Sequence, residues 1–366
     1  MLKNTSLFKT FKNKKIIVTG HTGFKGTWLT AWLKLMGADV TGISIDIPTT
    51  PSHFANTPLS KNINDIRLDI RSKKIEGIIN KVKPDFIFHL AAQSLVSKSH
   101  ENPVTTWETN VMGTANLLQS LVNYKRKCVA IFITSDKCYD NKEWIWGYRE
   151  TDDLGGSDPY SGSKAAAEIL IKNYTKSFFE KNKNIKIASV RAGNVIGGGD
   201  WSMDRIIPDV IRSWSQNKPL VIRNAGATRP WQHVLEPLSG YLALAVHMSN
   251  KKIFEGQAFN FGPSDRQINT VKNVVAAINN YLPDKKLIIK KGINTNKEHH
   301  FLKLNCDKAQ ETLNWSATLD FDETIKLTMD WYLAYYRDPK NIYKLTLEQI
   351  ETYMDISQNR RISWSF

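Results

Sequence analysis

Lys14-Lys-Ile-Ile-Val-Thr-Gly-His-Thr-Gly-Phe-Lys-Gly26 is the stretch from which the fold is read. Ile16, Ile17 and Val18 form a short β-branched run, the pattern of a strand buried on both faces. Glycines at 20, 23 and 26 punctuate the turn that follows, and Trp28, Leu29, Trp32, Leu33 and Met36 then repeat at helical spacing. A strand, a tight turn and a helix N-terminus make an anion site, because unpaired N–H groups and the positive end of the helix dipole face a phosphate. Gly20 permits the turn, Gly23 a close approach of pyrophosphate, and Gly26 close helix-to-strand packing. Three glycines at this spacing also occur in ordinary strand-to-helix turns, so the flanking elements carry the nucleotide reading.

Further strands fall on either side of this unit. Residues 38–46 read as a second strand ending in Asp46, which lies 20 residues beyond Gly26. An acid at that distance suits the adenosine ribose diol and repels a 2′-phosphate, favouring NAD over NADP; a loop-capping aspartate is the alternative. Residues 66–70 read as a third strand with Asp69 placed for an adenine amine. Residues 85–93 form a fourth, running into Ala91 and Ala92, whose small side chains leave room for a cofactor crossing the sheet. Thr105 to Tyr124 has helical spacing, with Asn110 inside it either solvent-facing or in the site.

The fifth strand, Cys128 to Thr134, delivers Ser135-Asp136-Lys137, and a sixth spans Ile185 to Arg191. Between them, Tyr160 and Lys164 stand one helical turn apart on one face. A lysine beside a phenol stabilises phenolate and lowers its pKa, the condition for a general base near neutrality. Beyond the sixth strand, the Gly-rich run from Asn194 to Trp201 offers N–H groups to a phosphate, or is a plain loop; Arg205 follows it. Arg229-Pro-Trp-Gln-His233 joins a cation, a flat ring and hydrogen-bonding groups suited to a base and a diphosphate.

Composition limits the alternatives. The 366 residues are 41% hydrophobic and 23% charged, as in ordinary globular chains. No apolar run has the length of a membrane span, and nothing near Met1 reads as a signal peptide. Three cysteines without ligand spacing argue for the cytoplasm and against zinc or disulfides, so no metal is expected. The net charge of +15 comes from scattered lysines rather than a basic tract interleaved with aromatics, which disfavours nucleic acid as a partner.

Taken together, the glycine turn, Asp69, Leu90-Ala-Ala-Gln93, the Ser135 strand end and Tyr160-x-x-x-Lys164 resemble the extended short-chain dehydrogenase/reductase family, over roughly residues 14–336. Within it, Gly20-His-Thr-Gly-Phe-Lys-Gly26, Thr134-Ser-Asp-Lys-Cys-Tyr139 and Asn194-Val-Ile-Gly-Gly-Gly-Asp-Trp201 look like nucleotide-sugar 4,6-dehydratases, with CDP-glucose the implied substrate. The resemblance implies a Rossmann-type doubly wound α/β sheet holding NAD in residues 1–192, with the chain returning to it within 230–265. It implies a smaller mixed α/β part, mainly residues 193–366, for the nucleotide-sugar, and a homodimer paired through long helices.

Carried over residue by residue, the resemblance implies cofactor contacts from Gly20, Thr22, Gly23, Phe24, Lys25, Gly26, Asp46, Asp69, Ile70, Leu90, Ala91, Ala92, Gln93, Thr109, Tyr160 and Lys164. Substrate contacts are implied for Ser94, Ser135, Asn194, Arg205, Arg223, Arg229 and His233, with His299, His300 and Phe301 as further candidates for reading the base. Tyr160 would take the proton of the sugar 4-hydroxyl, Ser135 hold the same oxygen, and Asp136 protonate the departing 6-hydroxyl. Lys137 stands where the dTDP-glucose enzymes carry the glutamate that deprotonates C5. A lysine serves there only with a depressed pKa. A 4-epimerase shares the cofactor motifs but needs no Asp-Lys pair, and a non-catalytic NAD sensor usually lacks the tyrosine or the lysine.

Overall fold

The computed structural model describes residues 5–222, 224–250, 254–263, 269–283, 287–292 and 301–366. Seven strands form one parallel sheet: β1 (Lys15–Thr19), β2 (Asp39–Ser44), β3 (Asn64–Arg67), β4 (Phe86–His89), β5 (Cys128–Ile133), β6 (Ile185–Arg191) and β7 (Gln257–Asn260). Their spatial order is β7-β6-β5-β4-β1-β2-β3, so the direction of winding reverses between β1 and β4. A crevice opens at the carboxyl ends of strands wherever winding reverses in this way, which sets the site beside β1 and β4. β5 is buried at every residue, because helices cover both faces of the sheet.

Six helices matter for the site: α1 (Phe24–Leu35), α2 (Gly113–Val122), α3 (Pro159–Tyr174), α4 (Leu235–Asn250), α5 (Phe321–Arg337) and α6 (Ile342–Asn359). On one face Trp28 and Trp32 of α1 pack with α4, α5 and α6 around Tyr241, Trp331 and Tyr353. On the other, Leu117 and Leu121 of α2 and Ile171 of α3 pack on Ile17, Ile87 and Ala130. The helix expected over 105–124 is broken: Pro103–Trp107 runs into a π-helical turn, Glu108–Met112, and only then into α2. Asn110 lies in that turn, and such turns redirect a side chain that a regular helix would carry elsewhere.

β7 brings the chain back to the sheet beside β6, pairing Phe259 with Val190. The remaining short strands build a small mixed region at the crevice, in which Thr228–Arg229 pairs antiparallel with Asn269–Thr270. The Gly-rich run after β6 has a packing role. A Cβ at Gly198 would stand 2.0 Å from the Trp331 ring, and one at Gly199 would stand 2.7 Å from His53. Trp28 Nε1 donates to Gly198 O at 2.9 Å, and the Tyr332 hydroxyl donates to Asp200 O at 2.5 Å. The run is therefore a seam that presses α5 against α1.

Candidate active site

The first wall of the crevice is the turn between β1 and α1. Gly20 has φ +73°, and a Cβ there would meet Ala91 N at 2.7 Å; at Gly26 one would stand 2.0 Å from Gly20 O. Both positions thus require glycine, one for its backbone and both for the space. Gly23 caps α1 without a side-chain hydrogen bond, so the first-turn N–H groups remain for an anion. This cradle fits the diphosphate of a dinucleotide. Thr22 fastens it to the end of β2 by donating to Asp46 O at 2.6 Å, and the Asp46 side chain is exposed beside it. Phe24 and Lys25 open α1, and Lys25 is half-buried.

Asp69 stands just past β3 and accepts from Arg71 at 2.6 Å, while Arg71 also donates to Glu108 at 2.9 Å. Arg71 holds the Asp69 carboxyl below its usual range, and Ile70 packs against Gly113. After β4, Leu90, Ala91, Ala92 and Gln93 line the crevice half-buried, with Ser94 exposed at its edge. Asn110 settles the question its sequence left open: it is buried and binds the backbone of Gln93 in both directions, at 2.8 and 3.0 Å, and Ser163 Oγ at 2.9 Å. It pins the β4 loop to α3, while neighbouring Thr109 is half-buried.

β5 and α3 bring the proton-handling groups together. Ser135, Asp136, Tyr160 and Lys164 are all buried at the crevice floor. Asp158 caps α3 and Pro159 takes its first position, which starts the helix where Tyr160 faces the end of β5. Tyr160 faces Ser135, whose Oγ donates to Asp136 Oδ1 at 3.0 Å. Burial pushes the phenol up to about 12, against the downward pull of Ser135 and Arg205. The sequence expectation of a phenol lowered by Lys164 is thus reversed in the protein alone. Lys164 Nζ donates instead to Ile133 O at 3.3 Å, and burial pushes it down to about 8.

Lys25 also reaches this cluster. Burial pushes its amine down to about 8, Lys164 and Arg205 repel it, and Asp136 and Asp200 attract it. Its role in the turn gave no sign of this charge coupling from sequence. Arg205 pairs with Asp200 at 2.8 Å at the rim. Lys137, in contrast, is exposed on the short turn Asp136–Cys138, its backbone N–H donating to Ser135 Oγ at 3.2 Å. Burial of the kind expected for a C5 base is absent there.

The other candidate substrate contacts separate. Asn194 is half-buried with φ +53° where the chain leaves β6. Arg229 is half-exposed and donates to Thr228 O at 2.8 Å. His233 is not on the crevice surface: it is fully buried, edge-on to Trp28 at 6.0 Å, its pKa pushed down to about 3 by burial. Phe301 is exposed, and its carbonyl accepts from Asn141 at 2.8 Å. Arg223, His299 and His300 lie outside the described residues. Sequence reading passed over Glu168 and Arg191, which form a buried ion pair at 3.0 Å behind Lys164. Their signal was a charge on the face of α3 that Tyr160 and Lys164 already mark as inward.

The chain is similar to known proteins in sequence and in fold. Residues 17–328 match the family model described as GDP-mannose 4,6 dehydratase. The CDP-glucose 4,6-dehydratase of Salmonella typhimurium is 43% identical over 352 residues, spanning 94% of this chain and 97% of that protein. An epimerase of Methanothermobacter thermautotrophicus has a TM-score of 0.79 at 22% identity, covering 93% of this chain and 98% of that one. A dTDP-glucose 4,6-dehydratase of Bacillus anthracis, solved in complex with NAD, has a TM-score of 0.72 at 21% identity, covering 88% and 97%. At those identities the two structural likenesses speak for the fold.

Proposed function

The chain belongs to the GDP-mannose 4,6-dehydratase family, within the extended short-chain dehydrogenases/reductases, and from that premise we propose that it dehydrates CDP-D-glucose to CDP-4-dehydro-6-deoxy-D-glucose, using NAD, for bacterial surface deoxysugars. The observation that carries the reading is the meeting of Ser135, Asp136, Tyr160 and Lys164 at one crevice floor, in a chain 43% identical to a CDP-glucose 4,6-dehydratase. The glycine turn, Asp46, Asp69 and the β4 loop would hold the dinucleotide. Residues 1–192 with β7 form that half, and most of 193–366, through Asn194, Arg205 and Arg229, the nucleotide-sugar half. NAD⁺ bound there would supply the hydride acceptor for C4 and the hydride returned to C6.

Tyr160 takes the proton of the sugar 4-hydroxyl, and Ser135 steadies that oxygen by a hydrogen bond. The resulting ketone acidifies C5. Asp136, buried beside Ser135, donates the proton with which the 6-hydroxyl leaves as water. Lys137 takes the C5 proton in this reading; because it is exposed, the desolvation its amine needs must come from the bound sugar. The protein works as a homodimer in the cytoplasm. Exposed Val104, Trp107, Met112 and Ile169 on the helices flanking the site support a second copy, and Cys128, Cys138 and Cys306, which form no disulfide among the described residues, support a reducing compartment.

The test is proton NMR of the protein incubated separately with CDP-, dTDP-, UDP- and GDP-linked glucose, without added NADH. A new methyl doublet with loss of the C6 methylene is expected for CDP-glucose. Inversion at C4 without the doublet would make it an epimerase, and a doublet with another nucleotide alone would replace the substrate. In the same assay Lys137→Met should slow elimination; an undiminished rate would remove Lys137 from C5.

A further inference from the structure

We propose that Glu168 is a positioning residue of this site: from the turn of α3 after Lys164, its carboxylate keeps Lys164 charged and fastens the helix bearing Tyr160 to the strand end bearing Ser135. The role rests on the dehydratase reading. Glu168 is only 4% exposed, yet both its oxygens are engaged. Oε1 accepts from Thr134 Oγ1 at 2.5 Å, the residue immediately before Ser135. Oε2 accepts from Ser189 Oγ at 2.7 Å and from Arg191 at 3.0 Å, both on β6. Arg191 in turn lies 4.7 Å over the Tyr139 ring and donates to Glu150 O at 3.3 Å. One carboxylate thus ties α3 to the carboxyl ends of β5 and β6. A buried ion pair gains little stability over an apolar replacement, so its presence directly behind the site calls for a different account.

The charges around Lys164 supply that account. Lys25 of α1 repels it. His89 of β4 is kept neutral, its pKa pushed down to about 3 by burial. Cys138, in the turn after β5, stays a thiol because burial pushes it up. Tyr160 on the same helix is a phenol in the protein alone, because burial pushes it up. Among the described residues, Glu168 is therefore the negative charge that acts on Lys164, and it opposes the desolvation that draws the amine toward its neutral form. Only a charged Lys164 helps Tyr160 carry negative charge.

The experiment reads Lys164 directly. Lysines labelled with ¹³C at Cε are titrated by NMR, the Lys164 signal being assigned by its loss in Lys164→Met. In Glu168→Gln the Lys164 titration should fall by about one unit or more, given the Coulomb term between charges one helical turn apart. The alkaline limb of kcat/KM for CDP-glucose should move to lower pH with it, kcat falling and KM little changed. Glu168→Asp, which keeps the charge, should hold the titration near the wild-type value. Should the unpaired Arg191 unfold Glu168→Gln, the charge is isolated by comparing Arg191→Met with Glu168→Gln/Arg191→Met: the Lys164 titration should lie lower in the double variant, and equal titrations overturn the proposal. A folded Gln variant with an unmoved Lys164 titration overturns the proposal. An inactive wild type whose Lys164 still falls on Glu168→Gln would sink the dehydratase reading and uphold the role of Glu168. An active wild type whose Lys164 is indifferent to Glu168 would do the reverse.

Discussion

Gly193 shows how closely single positions are matched around the chemistry. A Cβ there would stand 1.7 Å from the Asp136 carboxylate, so the residue after Ala192 is glycine because an acid occupies the space of its side chain. Gly193→Ala should displace Asp136 and slow elimination at least about tenfold, the scale of losing a positioned acid. NADH affinity, followed by fluorescence titration, should hold; its loss together with activity would mean that the loop has collapsed. At this scale the sequence disclosed the groups whose partners lie at fixed spacing, Tyr160 with Lys164 and Ser135 with Asp136. It misled at His233, because a histidine after Arg229-Pro-Trp-Gln reads as a ligand contact. Burial against Trp28, on a helix two hundred residues earlier, is a tertiary fact with no local mark.

Among the elements, β5 and β6 were legible to within a residue, at Cys128–Ile133 and Ile185–Arg191, whereas the strand expected over 66–70 lies at Asn64–Arg67 and that expected over 85–93 ends at His89. The π-helical turn was not legible, since Glu108 to Met112 keeps helical composition and its widened turn is set by Asn110 reaching Gln93. The packing of the Gly197–Gly199 run was equally hidden, because glycine permits a phosphate and a tryptophan alike. The joint between α4 and the C-terminal helices carries a pH dependence. Glu236 is buried at the start of α4, accepting from Thr318 and Leu319 N–H groups and from the Tyr353 hydroxyl at 2.8 Å. Burial pushes its carboxyl up to about 7. A raised acid favours the folded state below its unfolded value near 4.5, and that contribution is lost as pH rises to 7. Urea midpoints at pH 5 and pH 7.5 should therefore shift in favour of Glu236→Gln, relative to wild type, as pH rises. The expected change is on the order of 2 kcal/mol. A difference between the two proteins that does not vary with pH would exclude the effect.

For the whole molecule, the exposed apolar side chains along Pro103–Met112 and α3 form one apolar stretch of the surface that a single chain leaves uncovered. Ile169, 59% exposed on α3, should lie at the contact between two copies. Ile169→Glu is expected to convert a dimer to a monomer in light scattering after size exclusion, with far-UV circular dichroism unchanged. A wild type that elutes as a monomer would refute the pairing. The other large-scale feature is where α1 finds its cover. Trp28 is bonded to Gly198, which Trp331 presses, while Trp32 stacks edge-on with Tyr353 and Trp364. The helix that opens the phosphate turn is translated about three hundred residues before its packing partners. A nascent chain would carry the complete glycine motif and still have no rigid cradle, so cofactor capture should be a late event of biosynthesis and a chain halted before α5 should be open to proteases at its most recognisable motif.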